Sequence, residues 1–489
     1  VANGFISKTA FLKFEQCQKA FFLYKNHYYL KDKLSTDKKL TFKRGHDVGT
    51  LAQQLFPGGI NVVETDSNKE RAIAYTKQLI ENKTEVIYEA TFVFNEVLVM
   101  VDILVLSATG YFAYEVKSSL KVSETFIKDA CLQYHVLKNN LGSLVDFYVV
   151  TLNESYVFNG ELEIKKLFKK RSILKDAQKN EAYFIERIAQ AHLLLDQNTI
   201  PNIDIGKQCF SPYECDFFQT CWKNTISDES VFTLGKIGKD ELFNWYHNGI
   251  KNISDIKDVS HLSPQLQIQI SSSNEKRSHV DAEGIKSVLS AIKAPYAAID
   301  MEIWGQAVPV MKGTKPFQKV PFLFTLFTEA KGSHFFFDFE EDDRRLFAVT
   351  LIEHTKAFKT LLVYDKSLER LIINELAEMY KDLRNDLLFV SSKLLDVSDI
   401  IHKQYYYHYL LKGNYSLKAV SKVVLDENVF EDENIFTGLE AMNAFVNFRS
   451  TENIIEKQAI KDDLINYCQA DTKATFMIAK KFLELITVV

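Results

Sequence analysis

Three cysteines within thirteen residues, Cys209, Cys215 and Cys221, and a fourth roughly 190 residues upstream, Cys17, constrain this chain more than any other feature. Thiols spaced this closely read as metal ligands in a reducing compartment rather than as a disulfide framework. Three thiolates call for a fourth, and Cys17 is the candidate. If the four meet, they staple the first helix to the far end of its domain. Four thiolates can hold a [4Fe–4S] cluster or tetrahedral Zn²⁺. The C-x2-C pairs usual for zinc fingers are absent, which favours the cluster. Cys131 and Cys468 stand alone and read as small buried hydrophobes.

At roughly 100–200 residues per domain, 489 residues make two to four domains. Apolar residues at 46% and charged residues at 25% exclude a disordered or fibrous chain. No run approaches the roughly 18 apolar residues of a membrane span. The stretch Val1 to Lys8 lacks the apolar core of a signal peptide. The expectation is a cytoplasmic protein with no membrane partner. A net charge of -5 does not advertise nucleic-acid binding, but a local basic groove is compatible with it.

Three regions separate by pattern. Residues 1–227 mix helices with a strand-rich core. A helix is expected over Ser7–Leu23 and another over Phe42–Leu55, stopped by Pro57-Gly58-Gly59. Strands are expected over Val86–Phe94, Val97–Leu106 and Tyr111–Lys117, then a helix over Glu124–Asn139 and a strand over Val145–Leu152. Residues 228–290 read as a helical connector. Two short helices flanking Gly249 loosely resemble a helix-hairpin-helix, although a plain connecting helical pair is the preferred reading, and Ser271–Ser278 reads as an exposed loop or linker. Residues 291–489 open on a buried strand, Tyr296–Asp300, and continue as alternating strand and helix. The fold class is α/β (α+β), multidomain.

In the first region Asp102 is followed by Glu115-Val116-Lys117. Glu115 and Lys117 are two apart on a strand and share a face. A hairpin can bring Asp102 opposite Glu115. Two carboxylates so placed can hold Mg²⁺ or Mn²⁺, and a lysine beside them can position water or stabilise developing charge, as phosphodiester hydrolysis requires. The arrangement resembles the PD-(D/E)XK nuclease superfamily. Its RecB-type members carry a histidine on an earlier helix, in the metal shell, and a Gln/Tyr pair on a later helix that touches DNA. His46, Gln133 and Tyr134 match those positions, and Glu89 lies on the preceding strand as a further ligand candidate. The resemblance implies a restriction-endonuclease-like core with His46, Asp102 and Glu115 as metal ligands, Lys117 as catalytic, and Gln133 and Tyr134 as substrate contacts. One cysteine before this core and three after it resemble the iron–sulfur nucleases, including AddB-type helicase-nucleases and CRISPR-associated RecB-like exonucleases.

In the last region Asp300-Met-Glu302 delivers two acids on one strand face, and Tyr467 and Asp471 share a helix face. Between them lies Tyr364-Asp365-Lys-Ser-Leu368-Glu369, with Asp396 and Asp399 as further acids. The order resembles the DnaQ-like (DEDD) 3′–5′ exonucleases of RNase H-like fold. Asp300, Glu302 and Asp471 would then hold metal, Tyr467 would orient water, and Glu369 stands where that family has an aspartate. The family's asparagine in the middle motif is missing as well. The segment from His402 to Lys418 mixes tyrosines with basic groups and offers either a stacking surface or core packing.

The module order, with Pro212–Trp222 and Lys412–Lys418, is similar to a bacterial family that fuses an iron–sulfur RecB-like nuclease to a DnaQ-like exonuclease. That likeness implies a metal-dependent nuclease acting on DNA, with single-stranded ends preferred, in DNA processing or anti-phage defence, and with a protein partner in such a complex. The alternatives are an RNA-directed nuclease, a nucleic-acid-binding scaffold with a partly decayed exonuclease half, and an iron–sulfur sensor that gates the nuclease.

Overall fold

The computed structural model describes residues 4–65, 68–223, 225–425, 427–431 and 434–488. The first three residues of the stretch read for an export signal lie outside them. The chain is a multidomain α+β protein of two compact units, Val1–Thr225 with Gln306–Gln318, and Ile226–Gly305 with Lys319–Val489. Among the described residues no helix is long and apolar enough to cross a membrane.

The first unit is built on seven strands: β1 (Ile6–Ser7), β2 (Ile60–Asn61), β3 (Val86–Phe94), β4 (Val97–Ser107), β5 (Gly110–Lys117), β6 (Leu144–Leu152) and β7 (Phe168–Ser172). Their order is β2-β3-β4-β5-β6-β7, with β1 also paired to β4. Asn95 and Glu96 both adopt positive φ, the geometry of a two-residue hairpin, and this turns β3 into antiparallel β4. β5 and β6 are parallel, so a crossover must join them. It is the helix Glu124–Lys138, capped by Ser123 and buried continuously from Asp129 to Leu137.

The helix expected over Ser7–Leu23 is two helices, Lys8–Gln16 and Gln18–Asn26. Cys17 breaks it with extended backbone, φ -163° and ψ 119°. The next helix begins earlier than its apolar pattern suggested, at Thr36, because Ser35 caps it. The segment 306–318 belongs to this unit. Gly313 donates to the Phe158 carbonyl at 2.7 Å and Phe158 donates to that of Thr314 at 2.9 Å, while Ala307 is buried in the unit's second core.

The second unit contains β8 (His279–Val280), β9 (Tyr296–Trp304), β10 (Val320–Phe327), β11 (Gly332–Phe336), β12 (Thr360–Val363), β13 (Leu394–Asp396) and β14 (Tyr406–Tyr407). The main sheet runs β11-β10-β9-β12-β13. The first three strands form an antiparallel meander, and β12 and β13 are added in parallel. The helix Ile454–Val488 packs on β9 and β10. β8 pairs with β14, whose Tyr406 and Tyr407 are buried, so these two tyrosines are core rather than a stacking surface.

Residues 228–290 fall within this second unit. The pair flanking Gly249 is a helix, Lys239–His247, followed by a single 3₁₀ turn, Ile253–Asp255, not a second helix. The serine-rich stretch expected as a loop is largely helical, because Pro264–Glu275 buries Leu266, Gln269, Ile270 and Ser272. Lys276, at φ 53°, ends it.

Candidate functional site

The first acidic site is assembled across three strands. Tyr88 pairs with Ile103 and Ala90 with Val101, which sets Glu89 across from Asp102. Ile103 pairs with Tyr114, which sets Asp102 across from Glu115. Side chains directly opposite share a face, so three carboxylates form a row. Glu89 adopts φ 54°, a conformation uncommon for a residue with a Cβ. Asp102 accepts from the Val116 backbone N–H at 2.5 Å.

Glu115 is almost fully buried and its oxygens are engaged. Oε1 accepts from Lys8 Nζ and from Lys117 Nζ, each at 2.7 Å, and Oε2 accepts from Gln133 Nε2 at 2.7 Å. Lys117 also donates to Asp129 at 2.5 Å, and Lys8 lies 3.6 Å from the same carboxylate. Burial works against the ionised form of Glu115, but Lys117 and Lys8 outweigh it and hold the carboxyl below its usual range. Burial would likewise lower Lys117, yet Glu115 and Asp129 keep it strongly protonated. At Asp102 the Lys8 charge and the Val116 N–H oppose burial but do not outweigh it. Burial, then the charge of Glu115, push its carboxyl well above the usual range. Glu89 rises for the same two reasons, opposed by Lys8 and His46.

The structure thus brings together Asp102, Glu115, Lys117 and Gln133, with Glu89 beside them and His46 close enough to act on Glu89. It does not bring Tyr134, whose ring is 6% exposed within the main hydrophobic core. One helix face carries Gln133 to the site, and the next residue points inward. Lys8 and Asp129 were missed by sequence reasoning. Asp129 had a signal, since it precedes Gln133 by four and shares its helix face. Lys8 had none, because its position depends on where the first helix packs.

The four cysteines converge. Cys17, Cys209, Cys215 and Cys221 line one small cavity together with Ile205 and Phe217. Burial pushes the Cys215 thiol up to about 12, with the neighbouring cysteines adding to it. Cys17 and Cys221 are raised mainly by burial. Gathered thiols that resist ionisation need a cation at their centre to become thiolates. Among the described residues, no three cysteine sulfurs lie within 4.8 Å of one another. Thiolates around tetrahedral zinc stand roughly 3.8 Å apart, from a Zn–S bond of about 2.3 Å.

The second acidic site lies on β9. Asp300 and Glu302 share a face. Glu369 comes from the helix Ser367–Met379, and Asp471 from the helix Ile454–Val488. Burial, then the charges of Asp300, Asp471 and Glu369, drive Glu302 well above its usual range. Burial and Asp300 push Glu369 up to about 9. Burial pushes Asp300 up to about 6, opposed by a hydrogen bond from Cys468. Glu369 Oε2 is buried without a hydrogen-bond partner.

Cys468 is more than an apolar filler. Its Sγ donates to Asp300 Oδ2 at 3.2 Å, and with Asp300 and Glu302 it forms a group whose donor atoms all lie within 4.8 Å of one another. Its helix position, three before Asp471, was the available signal. Tyr467 is buried, with the Lys418 ammonium 5.1 Å from its ring. Asp396 acts on Glu369 through its charge, but its oxygens, like those of Asp399, are engaged by other groups. Asp396 accepts from the N–H groups of Asp365, Lys366 and Ser398, and Asp399 pairs with Lys403.

A family model described as a domain of unknown function (DUF2779) matches residues 297–416, which include all but the first residue of β9, then β10 through β14, and the acids Asp300, Glu302 and Glu369. Neither a curated protein nor a solved structure matches the chain.

Proposed function

We propose that this chain is a divalent-metal-dependent nuclease, with a RecB-like PD-(D/E)XK site in the first unit and a DnaQ-like site of RNase H-like fold in the second. The observation that carries the reading is the charge balance of the first site. Fully ionised, the four carboxylates (Glu89, Asp102, Glu115, Asp129) would exceed the two ammonium groups (Lys8, Lys117) by two negative charges, and without a cation burial and the Glu115 charge instead push Asp102 and Glu89 up. One divalent cation offsets that excess. Gln133 Oε1, buried without a partner, leaves an acceptor beside it. The strand order of the first unit, an antiparallel trio followed by a helical crossover to a parallel strand, supports the PD-(D/E)XK reading. The β11-β10-β9-β12-β13 order supports the RNase H-like one.

In the first site Asp102 and Glu115 would hold Mg²⁺ or Mn²⁺, with Glu89 and His46 as additional donors. Such an ion would activate water and offset charge at the scissile phosphate. Lys117 is held as an ammonium between two carboxylates, so it donates rather than accepts a proton. It can orient water and stabilise charge developing on phosphate oxygens. Glu115 is fixed by three donors, which preorganises it. Asp102 is anchored through Val116.

In the second site Asp300, Glu302 and Asp471 would hold metal, and the unpartnered oxygen of Glu369 offers a further donor. The four cysteines of the first unit, which line one cavity, would hold a [4Fe–4S] cluster, with tetrahedral Zn²⁺ as the alternative. The substrate expected from this reading is DNA with single-stranded ends.

Strands labelled at either end and incubated with Mn²⁺ test the assignment. Glu115→Gln should abolish one product pattern and Asp300→Asn another. Loss of the same product in both variants rejects two independent sites. No cleavage by the wild type with any divalent metal leaves the binding scaffold as the reading. Iron counting and an absorption spectrum of anaerobically purified protein test the cluster.

A further inference from the structure

A cavity of about 420 Å³ lies along the edge strand β13 of the second unit. Five lysines line it: Lys293, Lys359, Lys366, Lys393 and Lys403. Lys403 is paired with Asp399 at 3.1 Å. Among the described residues, the other four have no carboxylate within ion-pair distance. The Asp396 carboxylate in the same wall keeps its charge but is held in place by three backbone N–H groups and by the Ser398 hydroxyl at 2.6 Å.

Lys393 is the most telling. It is only 8% exposed, and its ammonium donates to the Thr355 carbonyl at 3.1 Å above the Phe389 ring. Burying an ammonium without an anion is unfavourable. Exposed lysines are common, but five lysines around one concavity against the two carboxylates of Asp396 and Asp399, in a chain of net charge -5, give this wall a local positive excess that suits an anion.

The shape of the lining selects the anion. Thr360 and Lys366 stand at and beyond the two ends of the four-residue strand β12. At about 3.3 Å per residue the strand is about 13 Å long. A stacked nucleic-acid strand rises about 3.4 Å per nucleotide, so several backbone phosphates span that length. One end abuts the acids, since Lys366 precedes Glu369 by three residues and Asp365 and Asp396 both act on the Glu369 charge.

We propose that this lysine-lined trough binds the backbone phosphates of a single-stranded nucleic acid and leads its end to the Asp300–Glu302 cluster. The leading of the end rests on the nuclease reading of that cluster; binding in the trough does not.

The test is fluorescence anisotropy of the full chain with a fluorescein-labelled oligothymidine, in EDTA, over a range of salt. For single strands, each lost phosphate contact flattens the log–log salt dependence by about 0.7. Lys293→Ser/Lys359→Ser/Lys366→Ser should therefore flatten it by about 2 and weaken low-salt binding tenfold or more. The matching triple arginine variant should restore both. Lys381→Ser, which removes an exposed lysine paired with Glu378 outside the trough, should leave both unchanged. Equal affinity and slope in the serine variant and the wild type overturn the proposal. So does a result in which the serine variant loses only the binding of inorganic triphosphate, which would make the trough a small-phosphate site. If the lysine effect holds but the wild type cleaves no DNA with any divalent metal, the trough stands and the nuclease reading of the acids fails.

Discussion

Lys8 and Lys117 share the Glu115 carboxylate between them, and this makes the first site sensitive to single charges. Removing Lys8 leaves a buried acid with one fewer charged donor. Hydrogen bonds to charged groups contribute about 1.5–3 kcal/mol, so Lys8→Met should destabilise the first unit by about that amount and lower cleavage at its site. Denaturant melts of the two proteins check this, and an unchanged midpoint would show that water replaces the ammonium. In the second site the acids act on stability through pH. Asp300 titrates near 6 and Glu369 near 9 in the folded chain, both above their ordinary values of 3.8 and 4.5. The folded chain therefore binds extra protons. The stability they contribute is complete below the unfolded values and is lost as pH rises through about 6 and then about 9. The Tm of metal-free protein should fall between about pH 5 and pH 9, less steeply in Glu369→Gln. A Tm that rises over this range contradicts the uncompensated burial of these acids.

The elements around the first site are set by short local signals. Ser7 accepts from the Ala10 N–H and starts the helix that carries Lys8. Losing such a cap costs about 1 kcal/mol, so Ser7→Ala should lower stability by that much in a denaturant titration while Ser7→Asp preserves it. Cys17 ends the same helix and turns its thiol into the four-cysteine cavity. Cys17→Ser should lower bound iron and the melting temperature together; full iron content in the variant would remove Cys17 from the ligand set. Strands β3, β4 and β5 were legible because apolar runs bounded by Asn95-Glu96 and Ala108-Thr109-Gly110 leave few other foldings. The helix over Ser271–Glu275 was not. Serines favour loops by propensity, and the burial of Leu266, Gln269, Ile270 and Ser272, with the Gln269 amide bridging both backbone groups of Gly235, favours helix here.

Across the whole molecule, the segment 306–318 departs from the expected division at residue 291, because it belongs to the first unit. Its hydrogen bonds with Phe158 and the burial of Ala307 complete that unit's second core. A fragment of residues 1–225 should therefore melt lower than the first unit does in the full chain, and a synthetic 306–318 peptide should raise its melting point. No response to the peptide would show that the segment contributes nothing there.

Chemistry carried by spacing along one element was readable without a structure. Glu115 and Lys117 two apart on a strand, Asp300 and Glu302 likewise, and the three clustered cysteines are fixed by the geometry of their own backbone. Which groups meet from distant elements was decided only by packing. Lys8 against Glu115, Asp129 against Lys117, Cys468 against Asp300 and the lysines along β13 depend on how helices settle on sheets. Tyr134 shows the same dependence in reverse. It is one residue from Gln133, yet a helix turns about 100° per residue, so the neighbour of a site residue faces the core.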